Sequence, residues 1–509
     1  MGSTSSSADL AILDHPRLRY LRENLIGNDA KIDTPFGPRR RVYFDYIASG
    51  VAFEPIERVI MEQVLPNMAN THTESNSSGR NMTHLVEDAY RHVSRVIGAD
   101  ERDVVIFTGS GSTAAINRII LAMGLRIPDQ ISSVHDCKKC LPDEARPIIF
   151  RSMMEHHSND ISWRETVGET RFVGFDKSGR IDWRDLERQL KLPEVKDRPF
   201  KIGTFSAASN VTGILNEVDA LSAAMHEEGG YAFYDYAAAA PYVKVEMHPD
   251  DDPAKRKDAI FVSTHKFIGG PQTPGILAAN TELFTNDVPV EPGGGTVLYT
   301  SPWDHHYLSD VKLREAGGTP PIVQIIRTGM VFQLKEYLGA DLILEAEHAV
   351  VDYARKRFEA NDAISILGDT DAERLGVFSI IFHEGRLHHN LAVRLLNDLY
   401  GIQVRAGCMC AGTYGHELLK IEQQKSEQIR QALEEGDLWS KPGWVRISIS
   451  PATSPKDIDY LLEAIDTVAA DWERYAHLYE QDNAGEFLWK GNEFEEIFLD
   501  LDLRLPEEG

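Results

Sequence analysis

Cysteine is scarce in this 509-residue chain, with four residues: Cys137, Cys140, Cys408 and Cys410. That is too few for a disulfide scaffold, and the chain is long enough to bury a core without one. Long apolar runs are missing too. No stretch reaches about 18 apolar residues, so no transmembrane helix is expected. The Ser-rich start, Met1 to Asp9, lacks the apolar centre of a signal peptide, and a cytoplasmic protein is the expectation. Basic residues are in deficit: 53 Lys and Arg face 79 Asp and Glu, a formal net charge of −26. Such a chain suits neither nucleic acid nor an anionic membrane. Core-forming material is plentiful, with 42% of residues hydrophobic, enough for more than one domain. The cysteines form two close pairs, a CxxC and a CxC. Thiolates are zinc ligands, but nothing in the sequence brings the pairs together, and no metal is expected.

The chemically richest segment spans residues 259–271. The apolar run Ala259-Ile260-Phe261-Val262 delivers Ser263, His265 and Lys266 into the turn Gly269-Gly270-Pro271. Burial at a strand end disfavours a charged lysine, and a neutral amine is the nucleophile of Schiff-base chemistry. Ser263 and His265 are suited to hold an anion such as a phosphate. A Schiff-base lysine beside phosphate ligands is what pyridoxal phosphate requires. Alone, the segment reads equally as a surface lysine after an edge strand. Gly230 to Tyr236 shifts that balance, because this hydrophobic strand ends on one carboxylate, Asp235. Without Lys266, a helix N-cap would be the simpler reading of Asp235. With it, Asp235 is the partner that keeps a pyridine nitrogen protonated. Both residues end short strands, and the helix-length interval between them suits neighbouring strands of an α/β sheet, where ligands bind at the carboxyl ends.

On these residues the chain resembles the class V aminotransferase group of fold-type I pyridoxal phosphate enzymes. Within that group it is similar to the cysteine desulfurases and the molybdenum-cofactor sulfurase domain, from about Tyr43 to about Ala469. The resemblance implies an α/β fold: a large domain with a mostly parallel seven-stranded sheet, and a smaller α+β C-terminal domain. The boundaries read as an N-terminal arm over 1–40, a large cofactor-binding domain over 41–310, a small domain over 311–480 and an acidic extension over 481–509. Arg41 to Tyr46 resembles the family's short opening strand, and residues 129–146 look like an insertion. Strand and helix patterns alternate in the large domain, as at Val104–Phe107, Thr113–Met123 and Pro147–Phe150. In the small domain a helix is expected from about Ile322 to Tyr337, with strands near Val377–Ile381 and Trp444–Ile449. The extension, carrying Trp489, Phe494, Ile497 and Phe498, is expected to dock as a helix.

The remaining motifs follow the family's order. Gly109-Ser110-Gly111-Ser112-Thr113 leads from a strand into a helix, and free N–H groups there form a phosphate cradle to which Ser112 and Thr113 add hydroxyls. The resemblance assigns His156, in Glu155-His156-His157-Ser158-Asn159, to stacking on the pyridine ring and moving protons. It assigns Asn210 to the cofactor's phenolic oxygen. Three residues after Asp235 the desulfurases carry Gln; here it is Ala238, a departure that leans toward the sulfurase-like branch. Thr319, after Ala316-Gly317-Gly318, matches a Thr that reaches the phosphate of the other subunit, which implies a homodimer with shared active sites. Five residues after Arg405 comes Cys410, the position of the desulfurase nucleophile, though Cys408 is the alternative. A reactive thiolate needs an accessible, electropositive site, and Arg405 lies close in sequence. Arg446, in the apolar strand Trp444–Ser448, is suited to grip a carboxylate with two parallel hydrogen bonds.

These residues imply a pyridoxal-phosphate-dependent cysteine desulfurase that converts L-cysteine to L-alanine and an enzyme persulfide, with the sulfur passed to an acceptor protein. Lys266, Cys410 and His156 are the expected catalytic residues. Ser112, Thr113, His156, Asn210, Asp235, Ser263, His265, Lys266 and Thr319 are expected to bind the cofactor, and Arg446 and Arg405 the substrate. The alternatives are a carbon–sulfur β-lyase acting on a cysteine conjugate or sulfoxide, an amino-acid epimerase on the same fold, and a non-catalytic relative.

Overall fold

The computed structural model describes residues 9–71, 73–135, 141–142, 145–482 and 485–491. Cys137 and Cys140 lie outside the described residues. So do Phe494, Ile497 and Phe498.

Seven short strands form the central sheet: β1 (Asp103–Thr108), β2 (Ile148–Ser152), β3 (Glu169–Val173), β4 (Lys201–Ser206), β5 (Tyr231–Asp235), β6 (Ala259–Ser263) and β7 (Gly275–Asn280). Their order across the sheet is β1-β7-β6-β5-β4-β2-β3. Only β7 runs against its neighbours; the pairs from β6 through β3 are parallel. Strands buried on both faces read as continuous apolar runs, and β6 shows why. Ile260 and Val262 enter one core while Phe261 enters a second core on the other face, with Phe233, Leu277 and Ile116. Helix α1 (Gly111–Ala122) follows β1, and α2 (His157–Arg164) follows β2. The parallel strands therefore present their carboxyl ends, and the turns after them, on one edge of the sheet.

A long helix, α3 (Ile322–Leu338), lies against the helix Ser77–Val96. The two backbones meet so closely at Gly329 that a Cβ there would sit 2.9 Å from that of Ala89. Beyond α3 the small sheet, β8 (Ile364–Ile366), β9 (Val377–Phe382), β10 (Arg405–Gly407) and β11 (Trp444–Ser448), is antiparallel in the order β8-β9-β11-β10. Helix α4 (Gly412–Leu418) leaves the loop after β10.

The opening strand is shorter than its pattern suggested. Val42–Tyr43 pairs in parallel with Ile402–Gln403, and Asp45 bridges to Ser448. This segment therefore lies along the small sheet, and the arm before it buries Leu13, Leu18 and Leu21. The expected insertion begins as a helix, Asp129–His135. The extension differs from expectation in its described part: Phe487–Trp489 is a strand paired with Tyr479–Gln481. Trp489 packs edge-on against Phe36 and Tyr479 with centroids 5.2 and 5.5 Å away, so the described part of the extension docks as a hairpin. Among the described residues no helix is long and apolar enough to cross a membrane.

Phe261 is fully buried. Its replacement by Ala is expected to cost about 3–5 kcal/mol, read as a lower midpoint of chemical denaturation. An unchanged midpoint would mean that the ring does not support the sheet.

Candidate active site

The turns after β1, β2, β4, β5 and β6 converge on one cavity of about 240 Å³. Every sequence-predicted site residue lines it except Thr319. Thr319 is exposed, with its hydroxyl 3.5 Å from Asn70 Nδ2.

At β1 the chain turns into α1, whose N-cap residue Ser110 makes no side-chain capping bond. The first N–H groups of a helix have no partner within it and carry partial positive charge, and here that first turn lines the cavity. The Ser112 N–H donates to Ser263 Oγ at 2.9 Å, and the two hydroxyls are 2.7 Å apart. Thr113 Oγ1 is 2.6 Å from Ser158 Oγ. Gly111 has φ +62°, and a Cβ on it would lie 2.8 Å from Ser263 Oγ and 2.9 Å from His265 Cε1. Only glycine lets Ser263 and His265 close on the helix end.

Lys266 ends a 3₁₀ turn, Thr264–Lys266, that follows β6. Thr264 is fully buried and donates to Thr273 Oγ1 at 2.9 Å, which fixes the turn. Burial pushes the lysine amine down to about 8; nearby Asp235 opposes this and Arg446 adds to it. Among the described residues the amine has no hydrogen-bond or ion-pair partner. Asp235 is 4% exposed. It accepts the Ala237 N–H at 2.9 Å and forms no ion pair among the described residues. Burial raises its pKa against the Ala237 N–H, the Lys266 charge and the Ser112 hydroxyl. Ala238 also lines the cavity, so that position offers a methyl group and no donor.

The two adjacent histidines part ways. His156 lines the cavity and caps α2, its Nδ1 accepting the Ser158 N–H at 3.2 Å. Burial first, then the Lys266 charge, lowers it to about 3, so it is a neutral imidazole. His157 turns instead to the loop after β10, where its Nε2 accepts the Gly412 N–H at 2.9 Å. Glu155 just before them is completely buried and accepts from Ser152 at 2.6 Å and from Asn159 and Ser206 at 2.7 Å. Burial pushes it up to about 7.

The small sheet supplies the remaining wall. Arg405 and Arg446 stand directly opposite each other across β10 and β11, a like-charge pair that is unfavourable by itself. Asp45 resolves it. One carboxylate oxygen accepts from Arg405 Nε and the other from Arg446 Nη2, both at 2.8 Å. Arg446 is 4% exposed, and its Nε has no hydrogen-bond partner among the described residues. Asn210 donates from Nδ2 to the Met409 carbonyl at 2.8 Å. Cys410 is exposed and lines the cavity, while Cys408 is half-buried and does not. Asp45 and Glu155 received no site role from the sequence. Asp45 sits 360 residues from one arginine partner and 401 from the other, so only a family motif could have signalled it.

A buried lysine and a buried aspartate thus lie at the ends of adjacent strands beside the first turn of α1. Residues 42–461 match the family described as Aminotransferase class-V. The chain belongs to the class-V aminotransferase family. Relatives in the family include a probable cysteine desulfurase of Streptomyces coelicolor, 29% identical over 374 residues, covering 73% of this chain and 83% of the relative. Another, from Staphylococcus epidermidis, is 28% identical over 378 residues, covering 73% and 84%. The fold matches that of an apo cysteine desulfurase from Thermococcus onnurineus, with TM-score 0.70 and 22% identity over 88% of this chain and 97% of that one. It also matches an Escherichia coli cysteine desulfurase, with TM-score 0.64 and 21% identity over 84% and 94%.

The depressed Lys266 amine can be tested without assuming a reaction. A lysine attacks an aldehyde only when neutral, so labelling by an aldehyde and borohydride is expected to rise with pH through about 8 and then level off. A rise centred on the ordinary lysine value of 10.5 would show that the amine is not desolvated.

Proposed function

We propose that this protein is a pyridoxal-phosphate-dependent cysteine desulfurase. The observation that carries this reading is that an exposed cysteine, Cys410, shares one cavity with Lys266 and the buried Arg446. The relatives named as probable cysteine desulfurases support it.

The residues present fit the cofactor. Asp235 is a buried carboxylate without an ion-pair partner, and a protonated pyridine nitrogen would supply one. The uncapped first turn of α1, with Ser112, Thr113, Ser263 and His265, suits a phosphate. Lys266 has the nearly neutral amine that an aldehyde takes. Pyridoxal phosphate, when bound, supplies an electron sink that loosens bonds at Cα and Cβ of an amino acid.

The chain's own groups do the rest. Arg446, held by Asp45 with its Nε N–H unused, receives the substrate carboxylate, with Arg405 beside it. Lys266 Nζ takes and returns the proton at Cα. His156, neutral and on the cavity wall, would stack on the pyridine ring. Asn210 spends one amide N–H on Met409 and keeps the other for the phenolic oxygen. Cys410 Sγ takes the sulfur: the substrate's Cβ–S bond breaks as the Sγ–S bond forms, leaving alanine and a persulfide. The exposed Thr319 serves the phosphate of the second copy in a homodimer, and the persulfide sulfur passes to an acceptor protein.

The holoenzyme supplied with L-cysteine and a reductant is expected to release alanine and sulfide. Cys410→Ala and Lys266→Ala should each abolish alanine release. Pyruvate in place of alanine, with Cys410→Ala fully active, would make the enzyme an eliminating lyase. Asp45→Ala leaves two unscreened arginines in the substrate wall. Its KM for L-cysteine is expected to rise on the order of tenfold, the loss of about 1.4 kcal/mol, with the cofactor's visible absorption unchanged. An unchanged KM would remove Asp45 from substrate binding.

A further inference from the structure

The loop after β10 is held in a conformation that its own sequence does not favour. Met409 and Cys410 have φ of +55° and +54°, consecutive left-handed residues that are neither glycine nor asparagine. Such backbone persists only where its surroundings impose it. The surroundings here belong largely to the opposite wall of the cleft. Met409 is 7% exposed and packs with Met154, Val211 and Trp444, while Asn210 holds its carbonyl. Thr413 Oγ1 donates to Asp160 Oδ2 at 2.7 Å. Between these anchors, His157 brackets Cys410 from both sides. Its main-chain N–H donates to the Cys410 carbonyl at 2.7 Å, and its Nε2 accepts the Gly412 N–H at 2.9 Å.

The contact at Gly412 is tight. A Cβ there would lie 3.2 Å from His157 Nε2. An accepting Nε2 also fixes the imidazole as neutral, with its proton on Nδ1. Burial lowers the pKa of His157, which favours that form. His157 does not line the cavity; its side chain faces the loop after β10.

We propose that His157 is a positioning residue for Cys410: it holds the thiol-bearing loop in its left-handed conformation, so that sulfur transfer depends on it and cofactor binding does not. The clause about sulfur transfer rests on the desulfurase reading; the clause about the loop does not. His156 and His157 thus divide the work, the first acting in the cavity and the second on the loop across it.

The test compares wild-type holoenzyme with His157→Phe, which keeps a ring but has no acceptor, and His157→Gln, whose Oε1 is as many bonds from Cβ as the imidazole Nε2. Three quantities are read: the cofactor's visible absorption, the rate of iodoacetamide alkylation at Cys410 followed by peptide mass spectrometry, and alanine release from L-cysteine. His157→Phe is expected to keep the absorption, to alter the alkylation rate severalfold, and to lose alanine release on the order of 10–100-fold, the effect of a reacting group displaced by about 1 Å. His157→Gln is expected to stay close to wild type. Equal alkylation rates in wild type and His157→Phe would overturn the proposal, as would a His157→Gln no better than His157→Phe. Alkylation needs no turnover. If wild type released no alanine, the desulfurase reading would fall while the alkylation rates still decided the role of His157.

Discussion

Everything around the cleft answers to one constraint, the burial of a lysine amine at the end of β6. Removing an ammonium from water is unfavourable, and a buried lysine without a hydrogen-bonding partner moves toward its neutral form. Lys266 is in that position, with the buried Asp235 as the main charge that opposes the shift. Asp235 is destabilised in turn by its own burial. Among the described residues the Lys266 amine has no hydrogen-bond or ion-pair partner, and Asp235, which accepts the Ala237 N–H, has no ion-pair partner. Two incompletely compensated charges beside an uncapped helix end make a site whose polar requirements a bound ligand must complete. That is the physical content of a preformed cofactor cavity.

A second electrostatic problem lies across the cleft. The directly opposed arginines on β10 and β11 are an unfavourable like-charge pair until Asp45 bonds both. Asp45 can do this because the chain's opening strand pairs with Ile402–Gln403. This short β-pairing thereby sets the orientation of the guanidinium on the cavity wall. Arg446 is fixed on one side by Asp45 and left open at Nε, an asymmetry that suits an arriving carboxylate. The same cleft carries the strained Met409–Cys410 segment, held by groups from the turn after β2, from α2 and from the turn after β4. The thiol is presented from one wall and positioned by the other.

What was legible in the sequence was local. A buried apolar run followed by Ser263, His265 and Lys266 marks a strand and the turn that ends it, and β6 has those bounds within a residue. The same holds for β5 with Asp235; the glycine turn also leads into a helix, but α1 begins at Gly111, inside that turn and before the expected Thr113. The resemblance then ordered these pieces around one site. What the sequence hid was long-range. The histidine pair reads as one motif, and nothing in it says that His157 faces Gly412, 255 residues away. Asp45 reads in sequence only as part of the opening strand, because its arginine partners are hundreds of positions distant. In the extension the described strand Phe487–Trp489 pairs with Tyr479–Gln481, while the helix expected over Phe494, Ile497 and Phe498 lies outside the described residues.

The central claim is that the thiol of Cys410 and the amine of Lys266 act on one substrate in one cavity. The most direct measurement is peptide mass spectrometry of the holoenzyme after brief exposure to L-cysteine without reductant. The account predicts one added sulfur atom on the peptide bearing Cys410, in a Cys408→Ala background as well as in wild type, and none in Lys266→Ala. Added sulfur confined to Cys408, or present at Cys410 without Lys266, would contradict it.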